Sequence, residues 1–356
     1  MSRAGHAFQL LARVGQSPER SMPAFECGPG ELNFLSSRGI DSLYYISQES
    51  DARRQLVYDE IWRIQRLNLV EALDRLQAAG LRPILLKGAE LCERYFSPRA
   101  LGVMGDLDIL LPRTELEEAR AVFYDLGFRH ARYSVEAGEL VSRDIAELGQ
   151  IELQHYELAP LAKLVPLGCG EHFLEAAAEK PNGPIFRRGN EAVLALEFDV
   201  HHSVAADVDP SPLIARAVPS VFPKALTLSL DDHLWVNLTR HYVEVAIHGS
   251  CSLRAIAYTA PLIREHGPDW SPLVEIAEDM RLGCSLYYFL ALADELSPGQ
   301  IPPSVLERIR ASDPDRRRDW GWQLGKLFGF EEAFPSGEFV DAMGPEPSPP
   351  FAIAGV

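Results

Sequence analysis

Residues 84–111 read ILLKGAELCERYFSPRALGVMGDLDILL, with two apolar runs around a polar middle. The first run ends at Lys87-Gly88, where a helical pattern begins, and the second is interrupted at alternate positions by Asp106 and Asp108. Residues two apart on a strand point to the same face. The two carboxylates are therefore predicted to project together, while the apolar residues between and after them enter the core.

Two like charges at this spacing repel each other, and a bound cation allows both to stay ionised. Mg²⁺ bound by one or two carboxylates together with substrate phosphates is the usual arrangement where phosphoryl groups are transferred. We therefore predict a divalent cation at Asp106 and Asp108, with Mg²⁺ as the first choice and Mn²⁺ as the alternative.

A third carboxylate occurs in the stretch LEFDVHH, residues 196–202. Strand alternation places Glu197, Asp199 and His201 on one face. Asp199 is predicted to be either the third metal ligand or the base that takes the proton of an attacking hydroxyl. His201 is predicted to orient Asp199 or to contact a phosphate. A transition-metal site that also uses His202 is the alternative, but adjacent residues of a strand face opposite ways.

The Lys87-Gly88 turn is the third part of the pattern. A strand that opens into a helix presents unpaired backbone N–H groups at the helix N-terminus, which bind anions. Gly88 lets the backbone approach a ligand closely, and Lys87 adds a positive charge that suits a triphosphate.

Each part also has an ordinary structural explanation. A D-x-D pattern can be a solvated strand edge, Lys-Gly can be a simple turn, and Asp199 can lie on a solvated strand face. Their combined order favours a site, because a strand, Lys-Gly, a helix, D-x-D on a strand, a helix and a later aspartate on a strand follow one another.

The remaining pattern predicts an α+β fold. Helical periodicity predicts helices over 55–79 and 88–96 and one capped by Thr114 with Glu117 in the capping box, and apolar runs predict strands over 81–86, 107–111, 149–157 and 193–204. Long helical patterns follow Pro210, with no convincing strand over 226–296. We predict an N-terminal helical or irregular segment (1–54), an α/β domain (55–209), a helical C-terminal domain (210–330) and a Pro-rich flexible tail (331–356).

Composition limits the partners. The 34 basic and 51 acidic residues give a formal net charge of −17, which repels long nucleic acids and anionic membranes. The five cysteines form no CxxC pair and are odd in number, which favours reduced thiols in the cytoplasm. No segment reaches the roughly 18 apolar residues of a membrane span.

Other chemistries lack their signatures. The sequence contains no GxxxxGK[ST], GxGxxG, HExxH or GxSxG motif. His233, His241 and His248 recur along one stripe of a helical pattern. They are interpreted as core or hydrogen-bonded histidines, with a substrate-facing role as the alternative.

In combination, the motifs resemble the nucleotidyltransferase fold shared with DNA polymerase β, and the chain is similar to a family of uncharacterised bacterial nucleotidyltransferases. The similarity rests on AAGLRPILLKGAEL, GDLDILL and FDVHHSV, and in the helical half on HLWVNLTRHYVEVAIH and DWSPLVEIA. It covers about residues 60–310. The resemblance implies a polymerase β-like core, in which a small mixed sheet is flanked by helices, plus a helical domain.

Residue by residue, the resemblance implies that Asp106, Asp108 and Asp199 bind the metal and are catalytic. It also implies that Lys87-Gly88 is the turn that holds the nucleotide.

The chain departs from the family pattern at two places. Lys87-Gly88-Ala89 stands where the better-known superfamily turn is Gly-Ser. Gly102 stands where family members often have an arginine, and the nearby Arg99 is predicted to reach the triphosphate instead.

The resemblance implies transfer of a nucleoside monophosphate from an NTP, with ATP as the first choice, to an acceptor, and release of pyrophosphate. A small molecule, a peptide or a protein is favoured as the acceptor, and an RNA end stays open. The alternative is a non-catalytic nucleotide-binding or antitoxin-like regulatory protein. The departure from Gly-Ser favours that alternative, whereas the retained carboxylates argue against it.

Overall fold

A computed structural model describes residues 3–15, 26–48, 53–179, 184–205, 208–246, 249–279, 283–296 and 298–312. The chain divides into two compact units, which are Ser50–Ser229 and a second unit formed by Met1–Glu49 together with Leu230–Val356. The predicted α+β class is confirmed, because one unit carries a mixed sheet and the other is helical.

The described helices are α1 (Arg3–Gly15), α2 (Pro29–Ser37), α3 (Asp41–Ser47), α4 (Arg53–Ala78), α5 (Lys87–Phe96), α6 (Leu116–Asp125), α7 (Ile145–Gln154), α8 (Glu171–Glu179), α9 (Ser211–Arg216), α10 (Leu230–Ala246), α11 (Arg254–His266), α12 (Trp270–Asp279), α13 (Gly283–Leu296) and α14 (Pro303–Ser312). The described strands are β1 (Ile84–Leu85), β2 (Asp106–Leu110), β3 (Arg129–Ser134), β4 (Glu139–Ser142), β5 (Leu161–Gly168), β6 (Ile185–Arg188), β7 (Glu191–His201), β8 (Val218–Pro219) and β9 (Leu226–Thr227).

The sheet runs in the order β4-β3-β5-β7-β2-β1-β9-β8, and β6 pairs with the first half of β7. The two central strands, β2 and β7, are parallel, whereas β1 is antiparallel to β2 and parallel to β9. The long strand β7 therefore organises the sheet, because β5, β6 and β2 all pair with it.

One face of the central strands is apolar and is covered by α6. Phe198 of β7 lies 4.8 Å from the ring of Phe123 on α6 and 5.2 Å from Phe128, measured between ring centroids. Leu107 and Ile109 of β2 are each 1% exposed. These apolar side chains alternate with the acidic residues, which therefore project from the opposite face.

The predicted strand over 149–157 is wrong, because α7 occupies Ile145–Gln154. Asp144 caps this helix by accepting a 2.7 Å hydrogen bond from the backbone N–H of Glu147. The alternation of Ile151 and Leu153 covers too few residues to distinguish a strand from a helix. Asp144 followed three residues later by Glu147 is a helix-capping signal that the strand prediction did not use.

The predicted helix cap at Thr114 is also wrong. Residues Arg113–Glu115 form a 3₁₀ turn, and α6 begins at Leu116 without a side-chain cap. Glu117 does not close a capping box but pairs with Arg120, at 2.9 Å.

The expectation of no strand over 226–296 is wrong, because β9 occupies Leu226–Thr227. Strand β9 pairs with β1 and β8 pairs with β9, so the sheet unit extends to Ser229 rather than ending near residue 209. These strands have two residues each, too few for a period-2 pattern to appear in the sequence.

The second unit is helical. In this unit α1 packs against α11 and α13, and α10 packs against α11, α12 and α13. None of the helices in the described part of the chain is long and apolar enough to cross a membrane. The four cysteines whose side chains are described, Cys27, Cys92, Cys169 and Cys251, form no disulfide bond. The predicted tail over 331–356 and His248 lie outside the described residues.

Candidate active site

The register of β2 and β7 brings the predicted carboxylates together. Asp106 pairs with Glu197, and Asp108 pairs with Asp199, on adjacent parallel strands. Since paired residues of neighbouring strands lie on the same face, the four carboxyl groups form one acidic patch. We call these four residues the acidic cluster.

Asp108 of the acidic cluster accepts hydrogen bonds from two basic side chains. It is 6% exposed, and its Oδ1 accepts hydrogen bonds from Lys87 Nζ at 2.6 Å and from His201 Nε2 at 2.8 Å. Burial alone would raise the pKa of Asp108, but the Lys87 ammonium and the His201 hydrogen bond outweigh it, so this pKa lies below its usual range. Asp108 is therefore ionised without a metal ion.

Asp199 has the opposite environment. Burial, followed by the charges of Asp106 and Asp108, raises the pKa of Asp199 to about 9. Asp106 begins β2 at its exposed end, but its carboxyl group is hydrogen-bonded to that of Asp199, which requires a proton between them. Loss of hydration and the charge of Asp108 also raise the pKa of Asp106. The pair thus holds a proton in the absence of a cation.

Glu197 was placed on this face by the sequence but was given no role. It is half-buried beside Asp106. Burial and then the charge of Asp106 raise the pKa of Glu197, and the nearby Arg143 partly opposes them. Glu197 therefore adds to the concentration of negative charge at the exposed end of β2.

His201 is buried, at 1% exposed, between two carboxyl groups. Its Nε2 contacts Asp108, and its Nδ1 lies 3.2 Å from Glu157 Oε2. Glu157 was not among the predicted site residues, because it lay in the wrongly predicted strand over 149–157. A signal was present in the polar stretch HYE that follows α7, but its partner lies 44 residues away (201 − 157 = 44) and cannot be found from local spacing.

The Lys87-Gly88 turn lies beside Asp108. The backbone N–H of Leu86 donates to the Asp108 carbonyl at 3.1 Å, and α5 begins at the next residue with no side-chain cap among the described residues. Lys87 itself has a φ of 44°, a left-handed conformation that is uncommon for a residue with a side chain. The uncapped N-terminus of α5 therefore opens next to the acidic cluster, as an anion site requires.

Gly88 has little room for a side chain. A Cβ at this position would lie 3.1 Å from the Met104 sulfur, tighter than ordinary contact. The glycine therefore allows the first turn of α5 to pack closely against the loop that precedes β2.

Arg99 contacts a different group. Its Nε lies 2.9 Å from Asp59 Oδ2 on α4, and the other oxygen of Asp59 accepts from the Ala100 backbone N–H at 2.8 Å. The structure thus places Arg99 in an ion pair that holds the loop after α5, and its contact with a triphosphate stays a prediction.

Three side chains place possible metal-ligand atoms close together. Asp108, Asp199 and His201 each offer a ligand atom, and these atoms lie within 4.8 Å of one another. Asp199 Oδ1 is buried and makes no hydrogen bond with any described residue. Because a buried carboxylate oxygen without a partner is unfavourable, the arrangement fits a bound cation.

The helical unit contains buried histidines. His233 is 1% exposed and His241 is 5% exposed. The ring of His241 lies 4.8 Å from that of Phe289, and burial lowers the pKa of His241 to about 4. These observations agree with the interpretation of both residues as core histidines.

The model of one protein family, described as "Uncharacterised nucleotidyltransferase", matches residues 55–298. The match spans the Lys87-Gly88 turn, both strands of the acidic cluster and the helices up to α13. The chain belongs to this family. The family membership inferred from the sequence is thereby confirmed. The family places the chain in the general class of nucleotidyltransferases. No curated protein and no solved structure matches the chain.

Proposed function

We propose that this protein is a divalent-metal-dependent nucleotidyltransferase built on a polymerase β-like core. It transfers a nucleoside monophosphate from an NTP, with ATP as the first choice, to a small-molecule, peptide or protein acceptor. The observation that carries the proposal is the parallel register of β2 and β7. It puts Asp106, Asp108 and Asp199 on one face beside Lys87, in a chain of a nucleotidyltransferase family.

Asp106, Asp108 and Asp199 would hold the divalent cation. Their oxygens are the ligands that hard cations such as Mg²⁺ and Mn²⁺ prefer, and the unpartnered Asp199 Oδ1 gives a cation a place in the cluster. When bound, such an ion neutralises charge on the phosphates and polarises the phosphoryl group under attack.

Lys87 and the N-terminus of α5 bind the triphosphate in this proposal. The Lys87 amine forms an ion pair with Asp108. Rotation of its long side chain can bring this amine to a phosphate oxygen. The uncapped backbone N–H groups of α5 offer further contacts. The left-handed backbone of Lys87 and the absence of a Cβ at Gly88 shape this turn.

Nucleotidyl transfer makes one bond and breaks one bond, with no oxidation or reduction. The acceptor oxygen forms a bond to the α-phosphorus of the NTP. The bond from this phosphorus to the oxygen that bridges to the β-phosphate breaks, and pyrophosphate leaves with the electron pair. The acceptor proton passes to Asp199 once that carboxyl group has lost its own proton. Positioning of the two substrates supplies much of the rate enhancement in such reactions.

The test uses Asp106→Asn, which removes one charge and keeps the shape of the side chain. A labelled NTP is incubated with Mg²⁺ and a cell extract, and the products are identified by mass spectrometry. We expect loss of nucleotide transfer by about 100-fold or more. Asp125→Asn, at an exposed position at the end of α6, is the matched control and should retain activity. Undiminished transfer by Asp106→Asn contradicts the proposal.

A non-catalytic nucleotide-binding protein is the second candidate. The observation that favours it is the neutralisation of Asp108 by Lys87 and His201, which lets this part of the site exist without a metal ion. Calorimetry with each NTP, with and without Mg²⁺, separates the two candidates. Metal-dependent binding without turnover, whichever acceptor is offered, supports the second.

A further inference from the structure

The ring of His201 lies between two acidic side chains. Nε2 donates to Asp108 Oδ1 at 2.8 Å, and Nδ1 lies 3.2 Å from Glu157 Oε2. The His201 side chain is 2% exposed and that of Glu157 is 21% exposed. The three residues therefore form a line from the edge of the site to the buried oxygen of Asp108.

The backbone fixes the same segment against the end of β7. Glu157 and His201 form an isolated antiparallel bridge, and the Leu158 N–H donates to the Val200 carbonyl at 2.9 Å. The ring of Tyr156 stacks on that of His201, with centroids 5.8 Å apart and planes 14° apart. His201 is thus restrained at its backbone, at its ring face and at Nε2, and the Glu157 carboxyl group lies beside Nδ1.

We propose that Glu157 is a positioning residue of the metal site. By holding His201, it directs Nε2 to Asp108 Oδ1, so that the other carboxylate oxygen of Asp108 is the one presented to the cation. Carboxylate–histidine pairs behind metal ligands orient those ligands in this way. The inference rests on the proposed function, since it assigns Glu157 a part in the site described above.

The geometry separates this role from a phosphate contact. A ring that is almost fully buried and has a carboxyl oxygen within 3.2 Å of each nitrogen presents no donor to a nucleotide. His201 therefore acts through Asp108, and Glu157 acts through His201.

Mn²⁺ binding tests the inference without requiring turnover. The dissociation constant of Mn²⁺ alone is measured by electron paramagnetic resonance for the wild type and for Glu157→Leu, which keeps the bulk and removes the polar contact. We expect binding to weaken by about 10–100-fold. Glu157→Gln should stay within about threefold of the wild type, because the Gln amide can hydrogen-bond to Nδ1.

A double-mutant cycle distinguishes positioning from general support of the fold. In a His201→Leu background, Glu157→Leu should cause no further loss, since its effect passes through His201. Glu152→Leu is the matched control. It removes another half-buried glutamate of the same segment, which is paired with Arg120 at 2.7 Å, and should leave Mn²⁺ binding unchanged. Thermal unfolding checks each variant, and Glu157→Ser replaces Glu157→Leu if the latter does not fold.

The outcomes separate this inference from the proposed function. If a folded Glu157→Leu variant keeps the wild-type affinity for Mn²⁺, the positioning role of Glu157 is overturned and the proposed function is not. The same holds if the losses of Mn²⁺ affinity in the cycle simply add. Absence of Mn²⁺ binding by the wild type, with and without an NTP, overturns both the role of Glu157 and the proposed function. Weaker binding that disappears in the His201→Leu background supports the inference.

Discussion

Binding of a divalent cation to the acidic cluster is expected to expel a proton from Asp199. Its pKa is raised to about 9 by burial and by the charges of Asp106 and Asp108, so at pH 7 the carboxyl group is protonated. A cation requires the ionised carboxylate, and metal binding therefore releases the proton. The perturbation is a change of pH in the presence of Mn²⁺, and the neutral variant Asp199→Asn is the comparison.

The expected magnitude follows from the raised pKa of Asp199. If the ionised form binds the cation, the fraction available is about 1 in 100 at pH 7 and about 1 in 10 at pH 8 for a pKa of about 9. The apparent Mn²⁺ affinity should therefore rise about tenfold per pH unit between pH 6 and pH 8. It should level off once the pH passes about 9.

Calorimetry measures the proton directly. Titrations at pH 7 in two buffers that differ in ionisation enthalpy, and that do not bind the cation, should give different heats. The difference should correspond to about one proton released per ion bound. The Asp199→Asn variant should bind Mn²⁺ more weakly than the wild type at high pH. It should also release markedly less than one proton per ion, because the proton shared with Asp106 is then absent. Equal heats in both buffers, with a flat affinity between pH 6 and pH 8, would show that Asp199 does not release a proton when the cation binds.

The raised pKa of Asp199 also affects the stability of the folded protein. The pKa of Asp199 in the folded state lies above the value of about 3.9 for an unfolded chain, so its stabilising contribution is present at low pH and declines as the pH rises toward 9. Without cations, Asp199→Asn should therefore have a higher melting temperature than the wild type at pH 8. Mg²⁺ should narrow or reverse this difference.

Two substitutions in the Lys87-Gly88 turn test the anion site. Lys87→Met should weaken NTP binding by about tenfold or more and should lower the free energy of unfolding at pH 7 by about 1–3 kcal/mol, because the buried Asp108 loses its ammonium partner. This stability difference should begin to shrink as the pH falls below about 4 and should disappear only near the low folded-state pKa of Asp108, which urea unfolding at pH 7 and at about pH 3 can follow. Gly88→Ala should destabilise by about 1 kcal/mol or less, since the flexible Met104 side chain can move, yet should raise the KM for the NTP by hindering phosphate approach. An unchanged KM in both variants contradicts nucleotide binding at this turn.

The sequence predicted the central part of the site because alternation is a local property. In β2 and in the last five residues of β7, polar residues alternate with buried apolar ones, and this pattern determines which side chains share a face. The parallel pairing of Asp108 with Asp199 needed a further step, since the order of strands in a sheet is a long-range property. The resemblance to a known family grouped Asp199 with Asp106 and Asp108 but did not predict the parallel pairing of their strands.

Residues outside the alternating strands were harder to predict. Glu157 follows a helix that was predicted as a strand, and its function depends on a partner in β7. Arg99 was expected at the triphosphate on chain proximity alone, whereas a contact with Asp59 on another helix orients it. In each case the missing information was a tertiary contact, which spacing along the chain does not contain.

The charge balance of the site connects its metal and its nucleotide. Five carboxyl groups lie close together here, those of the acidic cluster and that of Glu157. Two interactions of the protein itself reduce the repulsion between them. Lys87 pairs with Asp108, and a proton is shared between Asp106 and Asp199.

A divalent cation supplies two positive charges, enough to replace the shared proton and to take over the neutralisation of Asp108 from Lys87. The Lys87 amine can then leave Asp108 for a phosphate oxygen at a smaller electrostatic cost. Cation and NTP should consequently strengthen each other's binding, by the same factor in both directions. In Lys87→Met this reciprocal coupling should fall even where the cation still binds. Calorimetric titration of Mn²⁺ with and without an NTP would show whether the lysine links the two ligands.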